Sequence, residues 1–136
     1  MDPMYREIIL DYYRNPRNKG KAEHAEIGAK DVNTLCGDVI EITARVDNGK
    51  IAEIKFDGKG CAISQASASM LTELVEGKKI EEAAKMQKQE LLDALGIELS
   101  ASRIKCALLG FKVMKLGLYS YLGKKMTAEE EDEMEE

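Results

Sequence analysis

Val39-Ile40-Glu41-Ile42-Thr43-Ala44-Arg45-Val46, Asp47-Asn48-Gly49-Lys50 and Ile51-Ala52-Glu53-Ile54-Lys55-Phe56 decide the fold. The first and last of these runs alternate apolar and polar residues with period two, the pattern of strands that bury one face. Between them, Asn-Gly is the dipeptide that tolerates two successive left-handed residues, as a tight hairpin turn requires. A strand at Ile27–Asn33 precedes the hairpin and extends it to a three-stranded antiparallel sheet.

Helical spacing appears on both sides of the sheet. Upstream, Met4, Ile8 and Tyr12, with Ile9 and Tyr13, recur at helical intervals after Asp2 and Pro3, a capping acid and a first-turn proline. Asn15-Pro16-Arg17-Asn18-Lys19-Gly20 ends that helix, because Pro16 disfavours helical geometry at Asn15. Downstream of Gly58 and Gly60, a helix places Ile63, Ser67, Met70 and Leu74 on one face, and Gly77 closes it. Two short helices follow at Ile80–Met86 and Glu90–Leu95, then a connection from Gly96 to Ser102. A last helix carries Ile104, Leu108, Phe111, Leu118 and Leu122 near one stripe and should cover the sheet. Strands followed by helices predict an α+β fold, a three-stranded antiparallel sheet with helices packed on one face.

The chain has 136 residues, 44% hydrophobic and 33% charged, which suits one domain over residues 1–126. Residues 127–136 read as an acidic tail: Glu129 to Glu136 hold seven acids and no base. Without those eight residues, 20 basic side chains face 18 acidic ones, so the formal charge of -5 belongs to the tail. No basic stripe with interleaved aromatics is present, which argues against nucleic acid as a partner. No apolar run is long enough to span a membrane and the N-terminus lacks a signal-peptide layout, so the expected location is cytoplasmic.

Three cysteines, widely spaced and odd in number, do not make a disulfide framework. Cys36 lies in Leu35-Cys36-Gly37-Asp38, where Cys36 and Asp38, two residues apart in extended backbone, can point to one side. Cys61 enters the second major helix and Cys106 is expected in about the first turn of the last. A thiol at a helix N-terminus sees the positive end of the dipole, which favours thiolate, and Lys59 and Lys105 act in the same sense. Three thiolates and a carboxylate make four donors, enough for tetrahedral zinc or for a [2Fe-2S] cluster. An oxygen ligand is harder than sulfur and suits such a cluster less well, so an aspartate implies a releasable cluster. Gaps of 24 and 44 residues between successive cysteines leave both a shared site and separate core thiols open. His24, on a polar stretch, reads as a surface residue. Ser64, Ser67 and Ser69 have no nearby histidine or acid and read as packing residues, and Gly58-Lys59-Gly60 is too short for a phosphate loop.

Asn15-Pro16-Arg17-Asn18-Lys19-Gly20, Asn33-Thr34-Leu35-Cys36-Gly37-Asp38, Gly60-Cys61-Ala62-Ile63-Ser64 with its Ala/Ser-rich continuation, and Arg103-Ile104-Lys105-Cys106 stand in the order of a known family. The chain resembles the U-type iron–sulfur cluster scaffolds, the group of IscU, SufU and the N-terminal domain of NifU. The resemblance implies a SufE/NifU-like α+β fold with Cys36, Asp38, Cys61 and Cys106 as ligands at one exposed end. It further implies a cysteine desulfurase as sulfur donor, Cys106 as persulfide acceptor, apo iron–sulfur proteins as recipients and a homodimer as one assembly. The expected function is assembly of a labile [2Fe-2S] cluster and its transfer. The alternative is a zinc-binding, SufU-like sulfurtransferase that relays persulfide.

Three departures separate the subfamilies. Lys105 stands where IscU-type members have histidine, as in SufU-like members. Leu99-Ser100-Ala101-Ser102-Arg103 replaces the Leu-Pro-Pro-Val-Lys chaperone signal of IscU. The 44-residue gap before Cys106 lacks the SufU insertion.

Overall fold

The computed structural model describes residues 3–34, 37–96 and 98–123. Asp2, the side chain of Met4, Cys36 and the acidic tail, all singled out in the sequence, lie outside the described residues. The elements run α1 Pro3–Arg14, β1 Ile27–Asn33, β2 Asp38–Asp47, β3 Lys50–Lys59, α2 Ala62–Val75, α3 Ile80–Ala84, α4 Lys88–Leu95 and α5 Ala101–Leu122.

The three strands pair antiparallel in the order β1-β2-β3. Asn48 and Gly49 take φ of 51° and 73°, so the turn between β2 and β3 is the left-handed pair that their side chains permit. Alternation fixes which face is buried. Asp38, Ile40, Ile42 and Ala44 of β2 point inward, as do Ile54 and Phe56 of β3, while Val39, Glu41, Thr43 and Arg45 face outward. Asp38 is therefore in phase with the apolar row and heads it.

Helices α2 and α5 cover the inward face, α2 against β3 and α5 against β1 and β2, and α1 packs on α2. Close approach needs small residues: a Cβ on Gly110 would sit 3.2 Å from the Ala68 Cβ, and one on Gly117 would sit 2.9 Å from Ile27 Cγ2. The Lys112 ammonium pairs with Asp31 at 3.5 Å, tying α5 to β1. Leu71, Val75, Leu108, Met114 and Leu118 meet Ile40, Ile42, Ile54 and Phe56 in one core.

Asn15 to Gly20 works as a strap that holds α1, α2 and β3 together. The Arg17 amide donates to Ser69 Oγ at 2.8 Å, Phe56 N–H to the Asn18 carbonyl at 3.0 Å and Gly20 N–H to the Phe56 carbonyl at 2.8 Å. The Arg17 guanidinium lies 4.0 Å from the Tyr12 ring centroid and 2.7 Å from Asp11 Oδ2, while the Tyr12 hydroxyl donates to Glu73 of α2.

Three expectations are corrected. Leu74 is exposed, because α2 is packed by α1, α4, α5 and β3 and buries nearly every other position, leaving no single apolar stripe to read. Tyr13 of α1 is likewise exposed, and the buried side of that helix runs through Ile9, with Ile8 and Tyr12 partly covered. The last helix begins at Ala101, capped by Ser100, whose hydroxyl accepts from the Arg103 amide, so Cys106 lies in the second turn. Among the described residues, no helix is long and apolar enough to cross a membrane.

Candidate metal centre

Antiparallel pairing puts Asn33, the last residue of β1, opposite Asp38, the first of β2, with both side chains on the inward face. Asp38 is fully buried. A carboxylate is tolerated there only where it accepts hydrogen bonds or meets a cation. Its Oδ1 accepts the Cys61 amide at 2.8 Å, and the Cys61 thiol donates to its Oδ2 at 3.6 Å.

Gly60 makes that approach feasible. Its φ is 152°, and a Cβ built on it would stand 2.1 Å from Asp38 Oδ1, so no other residue fits between β3 and α2 here.

Cys61 is the N-cap of α2 and half-buried. Its sulfur accepts the Ser64 amide at 3.4 Å, and its carbonyl accepts the Ser64 hydroxyl at 3.0 Å and the Gln65 amide at 3.2 Å. The sequence expectation of a thiol at a helix N-terminus is met at this position.

Cys106 differs. It is 3% exposed, and as the sixth residue of α5 it lies beyond the turn over which the dipole and open amides act. What faces its sulfur instead is the Asn33 side-chain amide, at 4.0 Å.

One ligand atom each from Asp38, Cys61 and Cys106 lies within 4.8 Å of the others. A tetrahedral zinc with Zn–S of about 2.3 Å spaces its ligand atoms roughly 3.5–4 Å apart, so these three need shifts below about 1 Å to converge on one ion. Two soft donors and one oxygen fit zinc, and they fit iron of a cluster equally. The structure thus brings together three of the four residues expected from the sequence; Cys36 lies outside the described residues. His24 is exposed and outside this group.

Ser64, read from sequence as packing, also caps Cys61, and Ser67 and Ser69 bond backbone groups, Ile63 O and Arg17 N respectively. The sequence reading assigned no role to Asn33 or Gln65. The in-phase position of Asn33 across from Asp38 was the available signal for the first.

A thiol–carboxylate cluster at the edge between a three-stranded sheet and the head of a covering helix is a donor set suited to soft metals or to sulfur chemistry. The chain belongs to the NifU-like N-terminal domain family, whose model matches residues 4–128. It is similar to the zinc-dependent sulfurtransferase SufU of Bacillus subtilis, 37% identical over 135 residues, covering 87% of this chain and 91% of that protein. It is also similar to an iron–sulfur cluster assembly scaffold protein IscU of Archaeoglobus fulgidus, 36% identical over 121 residues, covering 89% and 78% of the two. Among solved structures, a protein assigned as an iron–sulfur cluster assembly scaffold for the SUF system of Fervidobacterium islandicum superposes with a TM-score of 0.74. The two are 29% identical, over 87% of this chain and 99% of that one.

Proposed function

We propose that the chain is a scaffold on which a labile [2Fe-2S] cluster is assembled from iron and desulfurase-derived persulfide sulfur, then passed to apo-proteins. The observation that carries this reading is the convergence of Asp38 with Cys61 and Cys106 within 4.8 Å. Cys36, which precedes Gly37 and Asp38 in the sequence, is the proposed fourth ligand. Oxygen in place of a fourth thiolate weakens the hold on a soft cluster, and weak hold is what transfer requires.

Sulfur enters by exchange: a thiolate attacks the terminal sulfur of the desulfurase persulfide, a new S–S bond forms, and the desulfurase cysteine leaves as thiolate. Cys106 is the proposed acceptor. Because Cys106 is buried and Cys61 half-exposed, delivery to Cys106 requires the site to open on the partner. Each bound sulfur then takes two electrons from an external donor to become sulfide.

A second reading, a zinc-binding sulfurtransferase that relays persulfide, is supported by the likeness to the Bacillus subtilis SufU and by a donor set that suits tetrahedral zinc. In either role the chain works in the cytoplasm as a single domain over residues 1–126, with the acidic tail outside it. A cysteine desulfurase is its partner and a homodimer is one assembly it can form.

The deciding experiment measures iron, acid-labile sulfide and visible absorption on protein purified without oxygen and given iron, cysteine, a desulfurase and a reductant. Matching iron and sulfide, lost in Cys36→Ala, support the scaffold. Tightly held zinc, no cluster and onward transfer of sulfur support the relay.

A further inference from the structure

Gln65, in the first turn of α2, is 6% exposed. Its side-chain nitrogen donates to the Ser64 hydroxyl at 3.2 Å, and that hydroxyl donates to the Cys61 carbonyl at 3.0 Å. A hydroxyl has a single hydrogen. With it committed to Cys61, the Ser64 oxygen can only accept from Gln65, which fixes the amide with nitrogen toward Ser64. The oxygen, Oε1, is then a buried acceptor with no partner among the described residues.

A buried acceptor without a donor lowers stability, and an apolar side chain of similar shape would be neutral or better. Stability therefore does not explain a glutamine at this position. Its connection to Cys61 does: Ser64 touches Cys61 twice, by hydroxyl to carbonyl and by amide to sulfur, and Gln65 holds Ser64.

We infer that Gln65 is a positioning residue of the metal site, acting through Ser64 to hold the Cys61 sulfur where Asp38 and Cys106 meet it. The inference rests on Cys61 being a metal ligand. Outer groups that orient ligands typically change metal affinity 10–100-fold when removed.

The test compares the parent protein with Gln65→Met, Gln65→Leu and Ser64→Ala. The probes are cobalt(II), read by thiolate-to-metal absorption, and zinc, read by chelator competition; thermal unfolding is followed on the metal-free proteins. The expected result is that both Gln65 variants melt at or above the parent, yet bind zinc about 10-fold more weakly with a shifted cobalt spectrum. Ser64→Ala should show the same loss, and adding Gln65→Met to it should cost no further affinity. Parent-like affinity and spectrum in Gln65→Met and Gln65→Leu would overturn the inference, as would affinity losses that only track lowered melting. A parent that binds neither metal would instead overturn the ligand assignment of Cys61, and the inference with it.

Discussion

Replacing Gly60 by alanine tests how the site is held shut around Asp38. At φ of 152° an added Cβ would lie 2.1 Å from Asp38 Oδ1, 2.7 Å from its Cγ and 2.9 Å from its Cβ. Ordinary carbon contacts begin near 3.5 Å, so turning the carboxylate aside does not suffice and the whole side chain must withdraw. Withdrawal gives up the Cys61 amide bond to Asp38 Oδ1, and a hydrogen bond to a charged acceptor contributes about 1.5–3 kcal/mol. Backbone strain for a non-glycine residue at this φ adds about 1–3 kcal/mol. Gly60→Ala should therefore lose roughly 2.5–6 kcal/mol, a large share of the 5–15 kcal/mol typical of a domain. Gly123→Ala is the control: its φ is 73° with nothing within 4 Å, and strain alone should cost about 1–2 kcal/mol. Urea unfolding of metal-free protein measures both. Asp38→Ala removes the two nearest atoms, so the double variant with Gly60→Ala should be less damaged than the sum of the singles by about 1–3 kcal/mol. A loss in Gly60→Ala no greater than in Gly123→Ala, or strict additivity with Asp38→Ala, would show that this contact does not hold the site.

Asp38→Ala should slow release of a bound cluster, so its visible absorption should outlast the parent's in the presence of an apo recipient; faster loss would contradict the releasable-ligand reasoning. Cys106→Ser should accept less persulfide from a desulfurase in a sulfur-labelling assay, and undiminished labelling would move that role to Cys61 or Cys36. The contact between α1 and α2 should loosen at both extremes of pH. Hydrogen bonding to Glu73 raises the Tyr12 pKa above 10.0, so its contribution is full below that pH and lost as pH rises through the raised value. Bonds from Arg17 and then Asn15 hold the Asp11 carboxyl below 3.8, so its contribution is present above that pH and lost as pH falls through the lowered value. Amide exchange in α1 should show both edges, and Tyr12→Phe should abolish only the alkaline one; an unchanged alkaline edge would refute the Tyr12–Glu73 link.

The sheet was legible because its signals were local. Alternation and Asn48-Gly49 are properties of neighbouring residues, and β1 occupies the expected Ile27–Asn33. Where several elements meet, local pattern misled. Leu74 looked like a core position, yet α2 is packed by α1, α4, α5 and β3 and buried on most sides, so no single apolar stripe marks its exposed residues. Ser100 and Ser102 are equally good caps by composition; the helix starts after the first, which moved Cys106 out of the opening turn. Asp38 could have been placed from the sequence, since it is in phase with Ile40 and Ile42. The meeting of Asp38, Cys61 and Cys106 was legible only through the family resemblance, because no spacing rule connects residues contributed by three separate elements.

The unequal environments of these three residues suggest a division of labour within the proposed function. Asp38 and Cys106 are anchored at the back, one heading a buried strand and the other inside a helix, so neither can move without disturbing the core. Cys61 sits in front on a helix cap, half-exposed, with its sulfur accepting the Ser64 amide and donating to the Asp38 carboxylate. Ligand exchange with an incoming thiol is easiest where the sulfur is reachable and its scaffold is a helix terminus rather than a helix interior. A recipient protein should therefore displace Cys61 first and the buried pair last. Such an order would let the cluster stay attached to this chain until the recipient holds it.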